Sequence, residues 1–187
     1  MTGRLSRARA RLRGAIKSVI RSERGAAAVE MALVATPFFM LLFGIIEIGM
    51  IFLISASLEN GMDMAARTIR TGQFQTGSTT TAAAFKTSIC NTFGWFQSDC
   101  VANLYVDVRT YSTFSSITTP NPVSNGSFNT ASLSFTPGGP GDIVVVRAYY
   151  QWPLIAPFFD KALQQLNGGV ALLTSTFAFR NEPYGSS

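Results

Sequence analysis

Residues Met31 to Leu58 read MALVATPFFMLLFGIIEIGMIFLISASL, a run of 28 residues whose only charge is Glu47. A helix needs about 20 apolar residues to cross a bilayer, so this stretch predicts a membrane span. At about 1.5 Å per residue it would be about 42 Å long, against a hydrocarbon core of about 30 Å, and must therefore tilt, protrude or pack against something. A secretory signal peptide is a poorer fit. Its apolar core is about 7 to 15 residues and ends at a small-residue cleavage motif, which is not evident after this run.

The rest of the composition is consistent with an anchored, folded chain. Of 187 residues, 47% are hydrophobic and 13% charged, and the mean hydropathy is +0.24, too apolar for a disordered tail. A net charge of +5 and a pI near 9.6 would suggest nucleic acid, but the distribution argues against it. Arg4, Arg7, Arg9, Arg11, Arg13, Lys17, Arg21 and Arg24 against Glu23 put +7 on residues 1–25 and leave −2 on residues 26–187. No nucleic-acid partner is expected. The thirty residues after the span mix Glu59, Asp63, Arg67, Arg70 and Lys86, so the positive-inside rule predicts a cytoplasmic N-terminus and a C-terminal domain on the far side. Leu5, Leu12, Ile16, Val19 and Ile20 give the leader the spacing of a basic amphipathic helix. With no histidine and two cysteines, Ser/His/Asp relays and four-thiolate zinc sites are excluded, and neither cofactor nor metal is expected.

Working outward from the span, the pattern predicts one helix from Ala26 to Thr71. Leu58, Met62, Ala65 and Ile69 lie on one stripe, with Glu59, Asp63, Arg67 and Arg70 opposite. Asp63 and Arg67 are spaced to pair, Pro37, Gly44, Gly49 and Gly61 offer points of bending, and Gly72 is the stop. A polar linker, Gln73 to Thr81, leads to a short helix over Thr81 to Ile89. Strands are predicted at Leu104–Tyr111, Ile143–Trp152 and Leu172–Arg180, with a weaker one at Ser132–Thr136. Phe158 to Leu166 has helical spacing, while Ser112–Asn129 and Pro137–Asp142 read as surface loops. The expected organisation is a basic leader (1–25), a transmembrane and extended helix (26–72), a linker (73–81) and an α+β domain (82–187) with an antiparallel sheet. In an extracytoplasmic domain, Cys90 and Cys100 would most often form a disulfide; two free buried thiols are the alternative.

The junction Arg24-Gly25-Ala26-Ala27-Ala28-Val29-Glu30 places a glycine after a positive charge and a carboxylate five residues later, at the mouth of the apolar helix. It resembles the type IV prepilin processing site, which implies cleavage between Gly25 and Ala26 by a prepilin peptidase, with Arg24 and Glu30 in recognition or in setting helix register. The segment from Gly25 to about Gly72, with GAAAVE, Pro37, GIIEIG at Gly44 to Gly49, and LEN before AAR, is similar to the TadE-like family of pseudopilins from the tight adherence (Flp) pilus system. YQWPL (Tyr150 to Leu154) and FRNEPY (Phe179 to Tyr184) are a looser echo of that family. Met31 and Met50 depart from it, standing where an aromatic and a basic residue are usual.

The resemblance implies a non-enzymatic pseudopilin or minor pilin in the bacterial inner membrane, with a periplasmic head. Its implied partners are the peptidase, the pilus assembly platform, the major Flp pilin and a companion pseudopilin. Glu30 would pair with an N-terminal ammonium after cleavage. Glu47, about 25 Å further along a helix, would contact a partner helix that Gly44 and Gly49 let approach closely, unless tilt carries it to the outer interface. Two other readings remain open: an unprocessed single-span anchor or scaffold in the envelope, and a membrane-anchored enzyme using Asp142 with Asp160, or Asp99 with Asp107.

Overall fold

In the computed structural model, residues 23–155 and 160–185 are described. The amphipathic spacing of the leader and the start of the Phe158–Leu166 helix fall outside them. Helix α1 (Glu23–Arg70) is continuous through Pro37. That proline has no N–H to offer the carbonyl one turn back, and beside it the Thr36 hydroxyl donates to the Ala32 carbonyl at 2.8 Å. The chain divides into two units between Ile46 and Glu47. In the first, Met31, Leu33, Val34, Phe43 and Ile46 are all exposed although they are distributed around the whole circumference of α1. A helix apolar on every side needs lipid or other helices around it.

The second unit is α+β. One stripe of α1 is buried here: Ile54, Leu58, Met62, Ala65 and Ile69 are each at most 2% exposed, while Glu59, Asp63, Arg67 and Arg70 face out. Among the described residues Asp63 and Arg67 form no ion pair; Arg70 pairs instead with Glu182 at 3.4 Å. Gly72 ends the helix at φ 79°, a left-handed conformation that glycine adopts without Cβ strain. The expected linker contains a short helix, α2 (Gln73–Thr76). Helix α3 (Ala82–Cys90) follows, its first turn capped by the Thr81 hydroxyl accepting from the Ala84 N–H at 3.2 Å. Between the cysteines come a 3-10 segment, Asn91–Phe96, and α4 (Gln97–Asn103), with a Cys90–Cys100 disulfide closing the loop.

Strands β1 (Leu104–Tyr111), β4 (Ile143–Pro153) and β5 (Val170–Arg180) form an antiparallel sheet in the order β1-β4-β5. Register pairs Asp107 with Arg147, Val146 with Phe177 and Tyr150 with Leu173. Alternation then assigns the faces. Leu104, Val106 and Val108 of β1, Val144, Val146, Ala148 and Tyr150 of β4, and Leu173, Phe177 and Phe179 of β5 join the core with the α1 stripe. On the other face, Val145, Arg147 and Tyr149 are also buried, so β4 reads as a continuous apolar run rather than an alternating one.

What covers that second face is the segment expected to be loop. It holds a hairpin, β2 (Val123–Ser124) and β3 (Ser127–Phe128), turned at Asn125 (φ 51°) and Gly126 (φ 70°). Phe128 packs at a tilt against Tyr105 and Tyr149, with 5.0 and 5.6 Å between ring centroids. At Ser132–Thr136 there is no strand: a 3-10 turn, Thr130–Ser132, precedes a single parallel bridge of Phe135 to Val108. The helix expected up to Leu166 ends earlier, as α5 (Asp160–Leu163), because Gln165 and Leu166 turn to donate their N–H groups to the Val170 carbonyl at 3.1 Å.

Close approach of α1 to the end of α3 depends on Gly61. A Cβ there would lie 2.5 Å from the Ile89 carbonyl oxygen and 2.7 Å from the Thr92 hydroxyl. Gly61→Ala should therefore destabilise the folded domain by about 1–3 kcal/mol, the usual cost of overpacking. Chemical unfolding of the full chain in detergent measures this, whereas Gly49→Ala, whose Cβ meets nothing within 4 Å, should leave the midpoint unchanged or raised.

Candidate functional site

The residues singled out by the sequence are distributed along α1. The Gly25–Ala26 bond lies inside the first turns of the helix, and Ala26 and Glu30 are exposed. Glu30 has no ion-pair partner among the described residues. Gly44 is buried and Gly49 exposed. A carboxylate beside a helix terminus and open to its surroundings can accept a cation supplied from elsewhere; hydrolysis of the Gly25–Ala26 amide would generate one, an ammonium four residues, about 6 Å, away along the axis.

Glu47 is in a different environment. It is 2% exposed, and one carboxylate oxygen accepts the N–H of Ile155 at 3.0 Å. Ile155 follows the YQWPL stretch, so this bond ties the chain leaving β4 to α1. FRNEPY reaches the other end of the same helical segment. The Glu182 N–H donates to the Arg70 carbonyl at 2.8 Å, and Tyr184 lies where a Cβ on Gly72 would come within 2.2 Å of its ring. Asn181 donates to the carbonyls of Pro137 and Gly139 at 3.1 and 2.9 Å.

Of the acids considered for catalysis, Asp99 and Asp107 lie on opposite faces of the sheet, and the side chain of Asp160 lies outside the described residues. Asp107 is fully buried and accepts from Arg147 at 3.2 Å, from Arg109 at 2.9 Å and from the Ser134 N–H at 2.8 Å. Arg147 goes on to the Thr118 carbonyl at 2.6 Å, and Arg109 to that of Ser132. The hydrogen bond to Asp107 raises the Arg109 pKa above its ordinary value. Asp99 lies on the helix-facing side of the sheet, where it accepts the Tyr150 hydroxyl; burial first, then this hydrogen bond, raises the Tyr150 pKa well above its ordinary value. Asp142 accepts the Gly139 N–H at 2.8 Å within a turn.

By sequence, Phe93, Trp95 and Phe96 between the cysteines read mostly as core, with an aromatic loop tip that touches a partner as the alternative. Trp95 is 98% exposed, at the tip of the 3-10 segment, following Gly94 at φ 54° and ψ −116°. An aromatic-rich loop between cysteines reads as core; only the glycine before the tryptophan signals a turn that can project it.

Residues 25–67 match the family model of the TadE-like proteins. No curated protein and no solved structure matches the chain.

Two measurements probe the contacts described. Glu47→Ala should cost about 1–3 kcal/mol by leaving the Ile155 N–H without its acceptor, with Glu47→Gln costing less; unfolding midpoints and hydrogen exchange at the Ile155 amide read both. For Tyr150 the folded pKa is raised, so its contribution is complete below the unfolded tyrosine value of about 10 and is lost as pH rises above it. Unfolding between neutral and strongly alkaline pH should show this decline, and Tyr150→Phe should shallow it.

Proposed function

We propose that this chain is a pseudopilin or minor pilin of the tight adherence (Flp) pilus, cut after Gly25 by a prepilin peptidase and active through its helix rather than as an enzyme. The observation that carries the reading is the TadE-like match over residues 25–67: it begins at the glycine that the processing signature marks for cleavage and covers most of α1. The coarser conclusion is a pilus-associated protein carrying one apolar helix near its N-terminus, long enough to cross a membrane.

In this account residues 26–46 are the bilayer segment. They hold one charge, Glu30, and at about 1.5 Å per residue they measure about 32 Å, close to the thickness of the hydrocarbon core. The leader's +7 stays in the cytoplasm, and the sheet domain stands in the periplasm. Cleavage is helped by the poor helix propensity of Gly25, because a peptidase needs the first turn unwound to reach the bond. The new Ala26 ammonium then pairs with Glu30 of its own or a neighbouring chain. A charge pair at that depth favours one axial register between helices, since a displaced helix would leave a charge unpaired. Recruitment follows through helix contacts with the assembly platform, the major Flp pilin and a companion pseudopilin.

N-terminal sequencing and intact mass of the protein from native membranes, with its own peptidase present, test the reading. The expected N-terminus is Ala26, lost in Gly25→Ala or on deletion of the peptidase. An N-terminus still carrying the arginine-rich leader overturns it in favour of an unprocessed membrane anchor.

A further inference from the structure

We infer that the Phe93–Phe96 loop is a membrane-interface wedge: Trp95 at its tip inserts among the lipids at the end of the span nearest the sheet domain. The inference rests on reading α1 as a membrane span. Its basis is an exposed apolar surface that continues along that helix. Met50, Leu53 and Ile54 of α1 and Phe93, Trp95 and Phe96 of the loop line one open groove of about 400 Å³, and next to it Phe52 is 71% and Leu53 56% exposed. Phe96 packs on Trp152 with ring centroids 6.0 Å apart. Two residues beyond Trp152 the chain reaches Leu154 and Ile155, the latter 72% exposed.

The chemistry of this surface suits lipid rather than a charged partner. From Ile48 to Leu58, and from Ile89 to Ser98, there is no charged residue. The first charge on α1 after Glu47 is Glu59, beyond the groove. Near Trp95 in sequence are the neutral amides Asn91 and Gln97, which bond to each other at 2.7 Å. An exposed apolar tip on an uncharged loop is suited to the boundary between acyl chains and headgroups, where tryptophan is favoured because its ring is apolar and its N–H is polar. The position along the helix agrees. Counting from Ala26, the core-spanning length is used up near Ile46, and Met50, the first helix residue of the groove, follows four residues or about 6 Å later, about the thickness of one headgroup layer. Gly94 keeps a conformation closed to residues with a Cβ, and that turn directs Trp95 outward. Held by a glycine-only turn, Trp95 is 98% exposed among the described residues.

Full-length protein in phosphatidylcholine nanodiscs tests this through the Trp95 fluorescence, isolated either as the only tryptophan in Trp152→Phe or as the wild-type minus Trp95→Phe difference, which leaves the core untouched. The expected result is a blue shift relative to water-exposed indole. Quenching should be strong with lipid labelled near the glycerol, weaker with lipid labelled at the acyl terminus, and protection from aqueous iodide should accompany both. An emission still at the water-exposed position and open to iodide overturns the wedge, as does a shift that disappears when protein is diluted in lipid, which would indicate a second copy. Phe39→Trp in a background with both native tryptophans changed to Phe reports the span separately. If that indole is quenched by deep labels while Trp95 stays in water, the wedge fails and the span stands; if neither is quenched, the span fails with it.

Discussion

The domain depends on the burial of one stripe of α1 against the central strand. Ile54, Leu58, Met62, Ala65 and Ile69 supply the helix side and Val144, Val146, Ala148 and Tyr150 the sheet side. A three-stranded sheet this small has little apolar area of its own, and the helix completes its core. The small residues matter as much as the large ones. Gly61 admits the Ile89 carbonyl and the Thr92 hydroxyl, which donates to the Ser57 carbonyl at 3.1 Å, so α3 approaches the helix backbone where a larger side chain would hold it away. The disulfide then fastens the segment that follows α3, Asn91–Phe96 and α4, to α3 itself.

The packed length of α1 is tied down at both ends by C-terminal parts of the chain, the residue after YQWPL and the FRNEPY stretch. At the near end Glu47 accepts from Ile155. At the far end Glu182 and Tyr184 close over Arg70 and Gly72. The two stretches lie far apart in sequence, yet both act on one helix. Glu47 is the more informative of the two. An unaccompanied carboxylate in an apolar run reads as a partner-seeking group in the membrane, whereas here the chain's own backbone supplies a donor.

On the opposite face of the sheet the organising contact is electrostatic. Asp107 and Arg147 face each other across β1 and β4 and are both buried; Arg109 and the Ser134 N–H also donate to Asp107, and Arg147 also donates to the Thr118 carbonyl. A buried ion pair is a weak source of stability but costly to break singly. Its effect here is to hold two long polar segments, rich in Ser and Thr, on a sheet face they would not cover by hydrophobicity alone. Polar loops thus become the second layer of the domain.

Much of this was legible in the sequence. The apolar run, the stripe from Leu58 to Ile69, the stop at Gly72, strand β1 and most of β4 and β5 follow from periodicity and glycine chemistry, which act over a few residues and leave a local record. The hairpin at Asn125-Gly126 was written in a favoured turn dipeptide but obscured by its polar surroundings. Other features had no local record. The partner of Glu47 lies 108 residues away, and Arg147 and Asp107 are 40 apart; whether a charge is buried and paired depends on which strand the chain brings beside it. Trp95 makes the same point in reverse: its composition matched core, and only the turn at Gly94 put it outside. The sequence by itself determined the long elements, the apolar helix and the three main strands, because their periodicity is a property of neighbouring residues. Only the tertiary structure decided which polar groups are neutralised within the chain and which apolar groups are left for something outside it, because burial depends on residues that are distant along the chain and adjacent in space.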